Sequence, residues 1–389
     1  MKSKFWFIII LVFAVYFFGL VGNRVNIVDN IGDISREEYE KIIESQTDQD
    51  NNYGVLHCEY SELNSDEEDI YNQMCAMIDD GQVEFEFKNA DKDTVISAYT
   101  AVFKDHPEYF WFGRGYTCKT TTYLYSNAIT LKPMISASFH EVNSRKLKFE
   151  NAVDNILNLC EELPTIYDKV VFVHDYIVDN TNYDFEVSDA ITGMEISETV
   201  FDASSAYGCL VNRSAVCSGY SAAFQLIMQR LGIPCGRVTG AKTEGESHEW
   251  NYVVLDGDYY YVDVTWDDPQ STEVFTKLRS YEFFCITSAE LQKTHTIDED
   301  QFVPECTAVK YDYYIYHNQY FKTYDFDGFR EAVKASNDSG VSVKFSTEEE
   351  LQRAVNDLFT LQRIFFILNQ RHVSYSIGVS GLVLSVPFE

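Results

Sequence analysis

The chain has 389 residues, a length that suits two or three domains rather than one small core. Its 46% hydrophobic and 23% charged residues are those of a globular protein, and the high share of aromatics, 15%, suits half-buried strands and polar-tipped grooves. A formal charge of −31, from 61 acidic and 30 basic side chains, argues against nucleic acid and anionic lipid headgroups as partners and weakly favours cationic segments such as Lys-rich peptides.

At the N-terminus, Lys2 and Lys4 precede an uncharged apolar run from Phe5 to Gly22. As a helix it reaches about 27 Å, close to the thickness of a bilayer core. The two lysines keep the short end cytoplasmic, so residues 1–24 are read as a signal anchor with the rest of the chain outside the cell. A cleaved signal peptide is the rival reading, although no A-x-A-like site follows the run. The polar, acidic stretch 25–54 reads as a stalk.

Residues 55–148 read as an N-terminal α/β accessory domain. Ser65 to Glu68 offer an N-cap and acidic first-turn residues for a helix through Met77. The alternating VEFEF at Val83 to Phe87 predicts a strand. A second helix should stop at Asp105-His106-Pro107, and the aromatic and Thr-rich stretch from Tyr109 to Ile135 predicts further strands.

The central region, 149–305, turns helical from about Asn151, with Leu163-Pro164 dividing two helices. Val170, Val173, Ile177 and Val178 form one apolar stripe on the second, where His174 and Asp175 are assigned to packing or solvation. The segment VSDAITGMEISET that follows reads as a loop over the site. Next comes SAVCSGYSAAFQLIMQRLGIP, in which Tyr220, Phe224, Ile227 and Leu231 recur at helical spacing and Gly232 with Pro234 ends the helix. Cys217 therefore falls at the helix start, where free N–H groups favour negative charge on sulfur. A buried cysteine or half a disulfide is the bland alternative.

SHEWNYVVLDGDYYYVDVTWDDP then reads as two strands joined at Asp256-Gly257, a type I′ hairpin signal. Leu255 should pair with Asp258, which by counting back opposes His248 to Thr265. Asp263 becomes a diagonal neighbour of His248 on the same face. A carboxylate there can hold one ring nitrogen of the histidine and leave the other for a cysteine, the nucleophile–base–orienter arrangement of thiol catalysis. Trp266, Asp267 and Asp268 are expected to cap the strand and form a turn. The remaining chain, 306–389, reads as a C-terminal α/β accessory region of aromatic strands, a helix near Glu348 to Leu358 and two final strands.

Nine cysteines, none in a CxxC pair, and eight scattered histidines give no metal-site spacing, so neither metal nor cofactor is expected. The odd cysteine count leaves at least one thiol without an intramolecular partner; eight could pair with Cys217 free.

The runs YGCLVNRSAVCSGYSAAF and SHEWNYVVLDGDYYYVDVTWDDP together resemble the transglutaminase-like superfamily, in which Cys, His and Asp arrive in this chain order. The helix YDKVVFVHDYIVDNTNYD and the strings FFCITS, PEC and YYIY resemble secreted bacterial members of it, and the unit around HPEYFWF does so less distinctively. The motifs are specific from about residue 165 to 270.

The resemblance implies an α+β fold: a papain-like core, with a nucleophile helix packed on an antiparallel sheet, flanked by small α/β units behind a membrane anchor. It also implies Cys217 as nucleophile, His248 as base and Asp263 as orienter in acyl transfer through a thioester. The substrates would be protein or peptide amides, cell-wall-associated ones among them, with water or an amine as acceptor. No Gln or Trp stands just before Cys217 to complete an oxyanion hole. Tyr207 is the candidate donor, with the Cys217 N–H, and packing is its alternative. Trp250 would wall the site or shield the His–Asp bond, or simply pack. A non-catalytic surface binding or scaffold module with an idle triad is the alternative function.

Overall fold

The computed structural model describes residues 56–388 except 124–125, 194–196, 244, 269–277, 300, 337–339 and 369–374. The expected anchor and stalk lie outside the described residues. Among those described, no helix is long and apolar enough to cross a membrane. The chain divides into two compact units at Phe139/His140, and the mixture of helices and largely antiparallel sheets is α+β.

In the first unit, α1 (Ser65–Asp79) starts where Asn64, one residue before the expected cap, makes a reciprocal capping box with Glu67. Strand β1 (Phe85–Lys88) alternates buried and exposed residues as its sequence does. Helix α2 (Lys92–Asp105) is capped by Asp91 and ends at His106-Pro107. Strands β2 (Phe112–Thr122) and β3 (Asn127–Ile135) form a hairpin, and β1 joins it in the order β1-β3-β2.

The second unit opens with α3 (Val142–Glu161), which begins well before the apolar periodicity does, and α4 (Ile166–Asn180), capped by Thr165. Strand β4 (Asn182–Tyr183) follows. Where a loop was expected, the chain forms α5 (Phe185–Thr192) and α6 (Glu198–Ala203). Asp184 and Ser197 each accept a first-turn N–H, and Val187 and Ala203 bury against Val216, so caps and a small apolar contact together hold the two helices. Strand β5 (Ser214–Ala215) then pairs in parallel with β4 and leads into α7 (Cys217–Arg230).

Strands β6 (Cys235–Lys242), β7 (Ser247–Leu255) and β8 (Asp258–Val262) form the meander at the centre of a five-stranded sheet. Leu255 pairs with Asp258, and Asp256 and Gly257 have φ of 53° and 84°, as a type I′ turn requires. The predicted continuation to Thr265 does not occur. Strand β8 ends at Val262, and Asp263 caps the short helix α8 (Val264–Asp267) by accepting the Trp266 N–H. Strands β9 (Phe284–Ile286) and β10 (His295–Ile297) complete the order β10-β6-β7-β8-β9.

Toward the C-terminus, YYIY is a short helix capped by Asp312 rather than a strand. A second sheet follows, of β11 (Tyr320–Phe321), β12 (Gly340–Phe345), β13 (Gly378–Ser380) and β14 (Val383–Pro387). Helices α9 (Phe326–Ala335) and α10 (Glu348–Val355) pack on it through Phe329, Leu351 and Ala354, making an apolar core of their own. All nine cysteines are free thiols, Cys217 among them.

Candidate active site

The site is assembled around the first turn of α7. This helix is buried along almost its whole length, from Gly219 to Met228, because small residues let it enter the unit closely. A Cβ on Gly219 would lie 2.4 Å from the Ala203 carbonyl oxygen, so only glycine permits this approach of α7 to the end of α6. One residue before the helix, Val216 is extended and offers no side-chain cap. The first amide groups of α7 are thus not claimed by a capping side chain.

Helix α7 is locked on the sheet by polar contacts. The Ser221 hydroxyl donates to Glu249 at 2.8 Å, Glu249 also accepts Arg237 at 3.1 Å, and the Asn251 amide donates to the Ser221 carbonyl at 3.0 Å. Glu249 and Asn251 alternate along β7 with His248 and Trp250, which point to the other face. Gly240 sits opposite His248 on β6, and a Cβ there would lie 2.7 Å from the Trp250 ring.

His248, buried and near the start of β7, binds Asp263 through Nε2 at 2.7 Å and lies close enough to Cys217 for the thiol to act on its charge. The structure therefore joins Cys217, His248 and Asp263 in one chain of contacts. Burial opposes a charge on His248, but Asp263 and then Cys217 outweigh it and raise the imidazole to about 10. Asp263, also buried, resists protonation for the converse reason. Burial favours its neutral form, and the neighbouring imidazoles, His248 above all, hold it well below the usual carboxylate range.

Asp263 reaches His248 as a helix cap rather than as a strand residue. Its Oδ1 is fixed by the Trp266 N–H at 3.1 Å, which turns Oδ2 toward the imidazoles. One of these is His295 on β10, whose Nε2 lies 3.2 Å from the same Oδ2. Nε2 donates to this carboxylate, and Nδ1 lies 2.8 Å from the Thr294 hydroxyl, which itself donates to the Leu291 carbonyl at 3.3 Å. Trp266, Trp250 and Phe283 surround His295 with ring centroids 4.4, 4.9 and 5.6 Å away. The donor atoms of His248, Asp263 and His295 lie within 4.8 Å of one another, a spacing that hydrogen bonding accounts for.

Sequence reasoning did not single out His295. The string KTHTI carries no local sign that its histidine returns to Asp263; that depends on β10 pairing with β6.

The other expected residues are placed as follows. Trp250 is buried, with its ring 5.8 Å from His248 and 4.9 Å from His295, so it walls the His–Asp side of the site. Tyr207 is buried beside Phe149 and lies under the Arg145 guanidinium, 4.2 Å from its ring, and Arg145 bonds the phenol. Arg145 is itself held by Glu198 and Asp202. The phenol that senses Cys217 is instead Tyr183, brought near by the pairing of Tyr183 with Ala215. Burial first, then the charge on Cys217, pushes its hydroxyl up to about 12.

Asp267 and Asp268 are not simple turn residues. Asp267 accepts His174 Nε2 at 3.2 Å, Ser280 at 3.1 Å and the Phe283 N–H at 3.0 Å, while Asp268 accepts the Tyr220 hydroxyl at 2.7 Å. His174 is fully buried between Asp175 and Asp267. These carboxylates overcome the burial cost and raise it to about 9.

Residues 157–264 match the family model described as the transglutaminase-like superfamily. No curated protein matches the chain. Among solved structures, one described as a TGase has a TM-score of 0.29 and 16% identity, covering 42% of this chain and 45% of that one. A candidate cysteine protease from Cytophaga hutchinsonii has a TM-score of 0.24 and 12% identity, covering 46% of this chain and 64% of that one. A candidate protease from Parabacteroides distasonis has a TM-score of 0.23 and 9% identity, covering 72% and 63%. The chain thus spans less than two thirds of the length of each.

Proposed function

We propose that this chain, which carries a transglutaminase-like core over residues 157–264, is a cysteine acyl-transfer enzyme acting on protein or peptide amides. The observation that carries this reading is His248 bonded to Asp263 and neighboured by Cys217 at the head of an uncapped helix. Cys217, as thiolate, attacks the amide carbonyl carbon. The C–N bond breaks as the His248 imidazolium gives its proton to the leaving amine, and a thioester forms on sulfur. Neutral His248 then takes a proton from water or an incoming amine, which attacks the thioester and releases Cys217.

Asp263 keeps the ring oriented and supports its charge without itself accepting the proton. The Cys217 and Ser218 amides, which no side chain caps, serve as helix-start donors to the developing oxyanion, and the nearby Tyr183 hydroxyl, which donates to Ser188 at 3.4 Å, can join them only by leaving that partner. Hydrolysis of the protease or amidase type competes with amine transfer, and water exclusion in the groove decides the balance.

The apolar run from Phe5 to Gly22 behind two lysines supports anchoring at the cell membrane, with the N-terminus cytoplasmic and the remaining chain outside. Protein or peptide substrates at the cell surface, including cell-wall-associated ones, fit that address. The alternative is a binding or scaffold module with an idle triad, to which the additional α/β units on either side of the core would be suited. The test is alkylation of all nine thiols followed by peptide mapping, together with ammonia release from a Gln-containing casein substrate and proteolysis of it. Labelling of Cys217 ahead of the other thiols at mildly acidic pH, with both activities lost in Cys217→Ser, supports the enzyme. Slow labelling of Cys217 with no turnover of either kind selects the binding module.

A further inference from the structure

The first unit holds another thiol–imidazole–carboxylate constellation, built from the junction of its two helices. Cys75, half-buried on α1, places Sγ 3.5 Å from Nε2 of His106, the residue that ends α2. On the far side of the ring, Nδ1 lies 3.0 Å from Oε1 of Glu108. Pro107 separates the two in sequence, so the carboxylate folds back onto the ring of its near neighbour.

The proton pattern at His106 can be read from its partners. Glu108 is an acceptor, so Nδ1 carries a proton. Nε2 also lies 2.9 Å from the Tyr71 hydroxyl, which is 3.3 Å from Asp105 Oδ2. The phenol proton goes to Asp105, and Nε2–H is then shared between the Tyr71 oxygen and the Cys75 sulfur. Both ring nitrogens are donors. Burial opposes that charge, but Cys75 and Glu108 together raise His106 well above the usual histidine value. Other titratable groups facing the ring are Tyr109, stacked on it at 4.8 Å, and His57, 4.6 Å away, which burial lowers to about 3 and keeps neutral. Asp105 is pushed up to about 7 by burial.

We propose that Cys75 is a second reactive thiol of this chain, a covalent-modification site that takes low-molecular-weight disulfides through its contact with His106. The sulfur of Cys75, as thiolate, attacks one sulfur of the disulfide. The S–S bond of the reagent breaks, a new one forms to Cys75, and the displaced thiolate leaves with the electron pair and takes a proton from solvent. The product is a mixed disulfide, reversible by any free thiol. Cys118 on β2 of the same unit is the internal control. It is equally half-buried, but burial raises its thiol above the usual cysteine value.

The experiment treats the full chain in detergent with 2,2′-dithiodipyridine across pH 5.5–8.5 and maps each modified cysteine by mass spectrometry. Cys75 should react at least about tenfold faster than Cys118 at pH 6. His106→Gln should bring Cys75 down to the behaviour of Cys118. Because His106 is buried, Glu108→Gln provides a milder variant on the partly exposed side of the ring. It should slow Cys75 about threefold at pH 6, with the circular dichroism spectrum unchanged. A Cys75 rate that parallels Cys118 in wild type, or one indifferent to both variants, overturns the proposal. None of these outcomes depends on Cys217.

Discussion

Replacing Asp263 with Asn keeps the shape of the side chain and removes its charge. The carboxylate now accepts three N–H groups, from Trp266 on Oδ1 and from His248 and His295 on Oδ2. Asn has a single acceptor oxygen. If that oxygen keeps the Trp266 cap, the amide NH₂ faces both imidazoles, and His248 must accept at Nε2 and carry its proton on the side of Cys217. His248 stands at about 10 against its usual 6.5, with burial opposing and Asp263 leading the groups that raise it. Loss of roughly half that rise, about 2 units, amounts to about 2.7 kcal/mol of imidazolium stabilisation, or about a hundredfold.

The sign follows from the raised value. In wild type the imidazolium survives until pH approaches 10; in the variant it is lost about two units earlier. Iodoacetamide labelling of Cys217 should therefore match wild type at pH 6 and fall progressively below it from about pH 8, where only the wild-type imidazolium persists. Turnover should fall by about 10⁴, because the base presents the wrong tautomer. The assay is a labelling-rate profile from pH 5.5 to 9 read by mass spectrometry, beside a thermal melt to show that the fold persists. A profile superimposable on wild type would refute the role of Asp263.

His295→Ala should leave Cys217 in place but free Asp263 Oδ2 of its second donor, lowering the labelling rate at pH 6 about tenfold. His295→Gln, which can still donate, should restore most of it, and equal losses in the two would show mere packing. Asp267→Asn should cost about 1.5 to 2 kcal/mol in a denaturant titration at pH 6, since Asp175 supplies the rest of the rise at His174, while leaving the pH profile of Cys217 labelling unshifted. The sign is that of a raised histidine: His174 moves from 6.5 to about 9, so its contribution is complete below about pH 6.5 and fades as pH rises through about 9. The wild-type advantage should shrink across that window, and an advantage independent of pH would count against it. On intact cells, added protease should remove the chain from Val55 onward and leave a short membrane-embedded fragment, whereas a protected C-terminal region would reverse the proposed orientation.

The local rules that the sequence carries were strong where a single element decides the outcome. The spacing of Tyr220, Phe224 and Ile227, with Gly232 and Pro234 as a stop, is enough to define α7 and to put Cys217 at its first turn. Asp256-Gly257 is enough to set the register of β7 and β8, because few residues other than these tolerate two successive positive φ angles. The counting argument that brought Asp263 to His248 identified the right pair by a continuation of β8 that does not form. Capping of α8, a competing local preference of Asp, ends the strand and still delivers the carboxylate.

What lies beyond one hairpin was decided only by tertiary structure. His295 joins Asp263 because β10 adds to β6, a non-local pairing with no signature in KTHTI. His174 and Asp267, 93 residues apart, become a buried pair because α4 packs against α8. Tyr207 was drawn away to Arg145, and Cys75 was drawn to His106, by the closing of helices on one another. Side-chain periodicity reports which face of an element is apolar. It does not report which polar groups from distant elements are enclosed together, and here those enclosures set the charges on the imidazoles.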